Sequence, residues 1–141
     1  MSVEETPRHL MVPEDNYYYT KTHEWVSLDD KNSVTIGITY YAQDSLGEVV
    51  SWKLPQKGQF FEKGQAFGWV ESNKSASDVY MPVSGEVVEV NSSLTPGLIS
   101  DKPMDEGWLI RVEIAKEAEL AQLLNPATYK KFLEEEIKNL E

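Results

Sequence analysis

The chain has no cysteine among its 141 residues. Disulfides, thiolate metal sites and a protein thiol nucleophile are therefore excluded. Its two histidines, His9 and His23, lie far apart and match no H-x-x-x-H spacing, so a histidine-rich metal site is not expected. Positive charge is scarce as well. There are 13 Lys and Arg against 24 Asp and Glu, a formal net charge of −11. Nucleic-acid phosphates would be repelled, so no nucleic-acid partner is expected. The same charge favours solubility and steers the protein toward basic faces on partner enzymes. No run approaches the ~20 apolar residues that span a bilayer, and no membrane partner is expected. The start, Met1-Ser2-Val3-Glu4-Glu5, lacks the basic beginning and apolar core of a signal peptide, and its acids argue against a transit peptide. These absences predict a cytoplasmic protein whose redox chemistry, if any, comes from something attached to it.

The common catalytic templates are missing too. There is no G-x-S-x-G, no G-x-x-x-x-G-K-[ST], no G-x-G-x-x-G and no H-E-x-x-H. Carboxylates are plentiful, but no spacing singles out an acid–base pair. Ser72, Ser75 and Ser77 lie near Lys74. No oxyanion-hole motif accompanies them, so a serine–lysine nucleophile is disfavoured and no catalytic residue is assigned.

What the chain does contain is a pattern of short strands. Residues 1–15 are polar, carry Pro7 and Pro13, and read as a loosely held arm; residues 16–141 read as one domain. Tyr17–Thr20 and Glu24–Leu28 read as strands, and Asp29-Asp30-Lys31-Asn32 as a turn. Ser33–Ile38 alternates at period two, with Val34, Ile36 and Ile38 on one face, as a half-buried strand does. Thr39 is placed to cap a short helix that ends at Leu46 and Gly47. From Glu48 to Ile114 the strands are broken by Gly, Pro, Asn and Ser, which predicts a mainly β sandwich or barrel. Gly47-Glu48-Val49-Val50 followed by Gly68-Trp69 is echoed by Gly85-Glu86-Val87-Val88 followed by Gly107-Trp108. Two such units in tandem predict a pseudo-two-fold core, with Trp108 a candidate core residue. C-terminal helices are expected over about 117–140. Asn125-Pro126 starts the second, and Tyr129, Leu133, Ile137 and Leu140 lie along its buried face.

Lys74 stands out against this background. It is isolated between two strand-like runs, Phe67–Glu71 and Asp78–Tyr80, within a hairpin over about 67–85. Ser72 to Ser77 has turn composition, so the amine projects from a hairpin end. An amine held alone at such a tip suits covalent attachment better than a salt bridge inside a packed element.

The segments Thr22-His23-Glu24-Trp25-Val26, Ile36-Gly37-Ile38-Thr39, Leu46-Gly47-Glu48-Val49-Val50, Gly68 to Ser72, Lys74, Ala76-Ser77-Asp78, Pro82-Val83-Ser84-Gly85-Glu86-Val87 and Glu106-Gly107-Trp108-Leu109-Ile110 together resemble the glycine cleavage system H proteins. The resemblance runs from about Tyr17 to Glu136. It implies a barrel-sandwich hybrid of the lipoyl/biotinyl type, with lipoate joined by an amide to Lys74. It implies a carrier and not an enzyme. The aminomethyl group of glycine would pass from a PLP-dependent glycine decarboxylase to a tetrahydrofolate-dependent aminomethyltransferase. An FAD-dependent dihydrolipoyl dehydrogenase would reoxidise the arm. The tether's advantage is effective concentration, since one group visits several active sites without escaping to bulk. The resemblance further implies that Glu71 and Asp78 present the lysine to lipoylating enzymes. Thr22, Glu24 and Asp78 would line a cleft for the loaded arm, where a carboxylate holds the protonated amine and slows its hydrolysis. His23 and Trp25 read as packing residues. A monomer is the expected state for such a shuttle.

The sequence departs from the family pattern at Asn73, Ser75, Tyr40 and Ser45, and its loop Ser92–Asp101 is slightly short. Two H-like roles use the same hairpin lysine and stay open at this point. One is sulfur carriage in a heterodisulfide-reductase-like sulfur-oxidation system, and the other is a relay of lipoyl groups to other proteins. An unmodified interaction module is the alternative from another class.

Overall fold

The computed structural model describes residues 6–30 and 32–140. Among the described residues, nine strands form two sheets. The larger holds six antiparallel strands in the order β1 (Tyr17–Tyr19), β2 (Glu24–Leu28), β3 (Ser33–Ile38), β9 (Ile110–Ile114), β8 (Gly85–Val90) and β5 (Phe60–Phe61). The smaller holds β4 (Val49–Lys53), β6 (Ala66–Ser72) and β7 (Ala76–Tyr80), also antiparallel. The inner faces of both enclose one apolar core that includes Val26, Val34, Ile36, Val70, Val79, Val87 and Val112. This is the mainly β sandwich that the strand pattern predicts.

The G-E-V-V echo has a structural meaning. In each copy the first valine is buried, Val49 at 3% and Val87 at 0% exposure. In each copy the register then slips, between Val49 and Ser51 against β6 and between Val87 and Glu89 against β9. A bulge at the second valine bends both strands at the same point, as an extra residue in an antiparallel ladder does.

Local signals set the helices. Thr39 caps α1 (Tyr40–Leu46), its hydroxyl accepting from Ala42 N, and Gly47 closes it at φ 96°. Asn125 Oδ1 accepts from Thr128 N at 2.8 Å and starts α3 (Pro126–Leu140). The segment Glu117–Gln122 is 3-10 and not α-helical. A further helix, α2 (Pro96–Asp101), occupies the Ser92–Asp101 stretch expected to be loop. Thr95 caps it, and Ser100 inside it accepts from Val49 N at 2.9 Å.

Three other expectations are corrected. β3 is buried on both faces: Val34, Ile36 and Ile38 enter the main core while Thr35 and Gly37 are covered from the other side. A Cβ on Gly37 would sit 2.6 Å from Trp25 Nε1, so only glycine lets that indole lie flat on the strand. Residues 6–15 are pinned, not loose. Arg8 donates to Gln43 Oε1 at 2.6 Å and to the Ser100 carbonyl, and its guanidinium sits 5.2 Å from the Tyr40 ring. Residues 1–5 of the expected arm, and Lys31 of the expected turn, lie outside the described residues. Trp108 is only half-buried, with the Arg111 guanidinium 4.3 Å above its ring. The buried indole is Trp25, at 2% exposure, donating to the Pro103 carbonyl at 2.8 Å.

Trp25 belongs to a second cluster with Tyr19, Met104, Tyr129 and Leu133 on the outer face of the large sheet, beneath α3. Tyr129 and Leu133 are each 1% exposed, whereas Leu140 is 75% exposed and lies beyond the buried stripe. His23 locks the helix down from the β1–β2 turn. Its Nδ1 is 2.7 Å from the Tyr129 hydroxyl and its Nε2 is 2.7 Å from Glu136 Oε2. Burial pushes the imidazole below the usual histidine range, outweighing the upward pull of Glu136.

Two outcomes follow for stability. Trp25→Ala is expected to cost ~3–5 kcal/mol, and Trp108→Ala clearly less, in urea melts. The histidine gives a pH dependence with a definite sign. Its folded value is depressed, so in that window the unfolded chain binds the proton more readily than the folded chain. Stability should therefore fall as pH drops through ~6.5 toward the folded value. His23→Asn, which tolerates the positive φ of 70° at this position, should flatten the difference between midpoints at about pH 7.5 and about pH 5.5. An equally steep loss in the variant would assign the pH dependence elsewhere.

Candidate functional site

β6 and β7 pair as Trp69↔Asp78, Val70↔Ser77 and Glu71↔Ala76, leaving Asn73, Lys74 and Ser75 as the hairpin tip. β6 runs one residue further and β7 starts two residues earlier than the sequence suggests, so the turn is tighter. Ser72 organises it. Buried at 6% exposure, its hydroxyl donates to the Leu46 carbonyl at 2.7 Å and accepts from the Lys74 and Ser75 N–H groups, each at 3.3 Å. Its backbone N–H donates to the Ser75 carbonyl at 2.8 Å. A hydroxyl that gives its proton to a carbonyl is an anchor, not an activated nucleophile.

Lys74 is exposed, and its side chain bends back over the end of α1. A Cβ on Gly47 would lie 3.4 Å from Lys74 Cε. Gly47 is constrained by its positive φ of 96°, and a side chain there would touch the lysine stem at ordinary contact distance. The sequence marks Gly47 as a helix stop and gives no sign of this contact.

Glu71 and Asp78 line a shallow depression of about 300 Å³ with Trp69 and Ala76. Glu71 is half-buried and accepts from the Ser51 hydroxyl at 2.6 Å. Asp78 is exposed.

Glu24 differs from both. It is 2% exposed at the end of β2, opposite Ile38. One carboxylate oxygen accepts from the Thr20 hydroxyl at 2.6 Å and from the Thr22 hydroxyl. The other accepts from Tyr80 N at 3.1 Å. Burial pushes the carboxyl above the usual range, while the hydroxyl and backbone donors pull it back down. The tight β1–β2 turn behind it is fixed by Thr20 N to Glu24 O at 3.1 Å and His23 N to Thr20 O at 3.2 Å.

Thr22, Glu24 and Asp78 meet. With Ser77 they form the polar side of a small cavity of about 30 Å³ whose apolar side is Ile38, Ala42, Leu46, Val70 and Val79. The apolar lining is a feature that the sequence reading did not name. Its signal was available in Ala42 and Leu46, four apart on one face of α1. A larger cavity of about 490 Å³ shares Thr22 and Glu24 with it and extends to Lys63, Met81 and Leu124. Among the described residues no three His, Asp or Glu side chains are grouped as a metal site requires. No helix among them is long and apolar enough to cross a membrane.

Comparison with known proteins agrees with this geometry. The family model described as glycine cleavage H-protein matches residues 17–136. The chain is 49% identical over 128 residues to the glycine cleavage system H protein of Carboxydothermus hydrogenoformans, covering 89% of this chain and 97% of that protein. It is 48% identical over 127 residues to that of Thermus thermophilus, covering 89% and 98%. Its fold superposes on the crystal structure of a glycine cleavage system H protein from Mycobacterium marinum with a TM-score of 0.70 at 33% identity, over 81% of this chain and 93% of the other. With the matched region running from β1 through most of α3 and taking in the Lys74 hairpin, this chain belongs to the glycine cleavage H-protein family.

Proposed function

We propose that Lys74 bears the lipoyl arm of this carrier and that Thr22, Glu24 and Asp78 receive the loaded end of that arm. Family membership makes the chain a non-catalytic carrier subunit of the glycine cleavage system, in a family that carries lipoate. The observation that carries the residue-level reading is the exposed lysine at a rigid tip within reach of an apolar cavity backed by a buried carboxylate.

The residues suit the group. The stem of Lys74 rests over Gly47. The Ser72 hydroxyl fixes the tip backbone, so the amine leaves in a set direction. Distance favours the smaller cavity as the place for the amine, with the adjoining larger cavity, which shares Thr22 and Glu24, giving room for the rest of the arm. Ser77 is three residues from Lys74 and Met81 is seven, ~10 Å against more than ~20 Å at strand rise. When bound, lipoate supplies a dithiolane that accepts the aminomethyl carbon of glycine and ends as a dithiol. The chain's own part is to bind, orient and keep water away. Ile38, Ala42, Leu46 and Val70 offer the apolar wall. Glu24, already desolvated, offers its charge to a protonated amine at little further reorganisation.

Glu71 and Asp78 flank the lysine on one hairpin face, which suits docking of a lipoylating enzyme. Glycine decarboxylase, aminomethyltransferase and dihydrolipoyl dehydrogenase are the proposed partners, with the carrier acting as a monomer. A cytoplasmic setting belongs to the same proposal, supported by the bacterial relatives named above. Glycine cleavage is favoured over sulfur carriage or lipoyl relay because the chain's relatives are named for that system.

Lys74→Arg should fold as the parent does and show no lipoyl adduct by intact mass after treatment with lipoate ligase. Lipoylated parent should support glycine–bicarbonate exchange with a glycine decarboxylase, and Lys74→Arg should not. An adduct on the variant would sink the attachment site. A lipoylated parent without exchange would favour the sulfur or relay roles. Glu24→Gln should shorten the lifetime of the loaded carrier in water by about tenfold, since a charge-assisted bond to the amine becomes a neutral one. The release of formaldehyde and ammonium measures it.

A further inference from the structure

The cleft has two walls, tied by backbone at one edge where Glu24 pairs with Ile38. One is the β1–β2 turn bearing Thr22 and Glu24, and the other is the seven-residue helix α1 bearing Ala42 and Leu46. A chain of polar contacts joins them through a third element. Glu136 on α3 lies 2.7 Å from His23 Nε2. The other ring nitrogen of His23 lies 2.7 Å from the Tyr129 hydroxyl. That hydroxyl lies 3.2 Å from Thr39 Oγ1, and the same Oγ1 accepts the Ala42 N–H that caps α1. A backbone bond from Thr39 N to the His23 carbonyl at 3.0 Å runs alongside.

Rings sheathe the relay. Tyr19 stacks on Tyr129 at 4.4 Å and 9°, and the Tyr41 and Phe132 rings lie 4.7 and 6.0 Å from the imidazole. Tyr129 and Thr39 are each 1% exposed. Polar atoms this far from water depend on one another, because removing one leaves the next without a partner. None of Glu136, His23, Tyr129 or Thr39 lines the cavity. His23 nevertheless stands between Thr22 and Glu24 in the chain, and Thr39 is the cap of the helix that carries Ala42. The cavity between them, at about 30 Å³, is the size of one water molecule. A small change in wall spacing therefore alters how much water it admits.

We propose that the Glu136–His23–Tyr129–Thr39 relay is a positioning device that couples the C-terminal helix to both walls of the arm cleft and sets their spacing. The inference rests on the cleft reading above. These are positioning residues, since none of them touches the arm. Their effect passes through the orientation of Thr22 and Glu24 on one side and the start of α1 on the other.

The test uses the full chain with three substitutions. Tyr129→Phe keeps the ring on Tyr19 and removes only the hydroxyl. Glu136→Ala removes the acceptor at His23 Nε2. Glu136→Gln keeps an acceptor oxygen and serves as the conservative rescue. The first readout is amide hydrogen exchange at Ala42 in unlipoylated protein, with Val87 and Val112 as core references. The second is formaldehyde release from the lipoylated, loaded carrier without aminomethyltransferase. Tyr129→Phe and Glu136→Ala should each speed both about tenfold, the scale of one lost buried hydrogen bond, with core exchange unchanged and Glu136→Gln near the parent.

Unchanged Ala42 exchange, or faster exchange with unchanged release, would overturn the relay. The cleft reading would survive either result provided Glu24→Gln still speeds release. A parent carrier that releases formaldehyde as fast as loaded free lipoamide, and is indifferent to Glu24→Gln, would remove the cleft and the relay with it.

Discussion

The two sheets are joined at the site by a buried carboxylate. Glu24 leaves β2 of the large sheet and takes the Tyr80 N–H of β7, the edge strand of the small one. Alternate residues of β7 present their backbone outward, and Tyr80 is one that does, so the carboxylate completes the strand where a neighbouring strand would otherwise be needed. Burying an ionised carboxyl costs several kcal/mol unless donors compensate. Here the Thr20 and Thr22 hydroxyls and the Tyr80 N–H provide them. A leucine could pack in the same place, but it would leave Tyr80 N–H unpaired and the cleft without charge. The arrangement compensates a buried carboxyl beside an apolar cavity with three donors.

That fixed charge gives the rest of the fold its purpose. β6 and β7 hold Lys74 at one end and bring Asp78 toward Glu24 further down the same strand. α1 closes the opposite wall, and its C-terminal end also serves the hairpin: Leu46 offers its carbonyl to Ser72, and the lysine stem lies over Gly47. The helix therefore supports the tip and lines the cleft at once. A carrier needs this economy, because its tethered group must leave freely and return to a defined place.

How much of this could be read from the chain depends on the range of the interaction. Thr39 to Gly47 was legible as a helix because its cap and stop are local. The doubled G-E-V-V was legible as two β units because both copies bulge at the second valine. α2 was hidden, since Thr95, Pro96 and Gly97 read as loop until the Ser100 bond to β4 gives the helix a reason to form. Trp25 read as a packing residue and is one, but Trp108 read as core as well, because nothing local distinguishes the two. The difference lies in Gly37, a residue on the neighbouring strand that clears the space. Thr22, Glu24 and Asp78 were named through family resemblance, not periodicity. Their convergence depends on pairing between sheets that no local pattern encodes. The His23 contacts with Tyr129 and Glu136 span more than a hundred residues of sequence and were not legible at all.

The acidic surface bears on the same economy. A net charge of −11 would by itself raise the cost of ionising Glu24 and would attract a cationic cargo from any direction. Exposed carboxylates such as Asp78 act through water and are screened within about 10 Å at moderate salt. Glu24, at 2% exposure, is not screened in this way. The long-range field can therefore guide encounters with basic partner faces, while on the proposed reading the buried carboxylate is the group that responds to a loaded arm. Raising salt should weaken the first effect and leave the second nearly untouched, because steering and retention reside in charges of different burial.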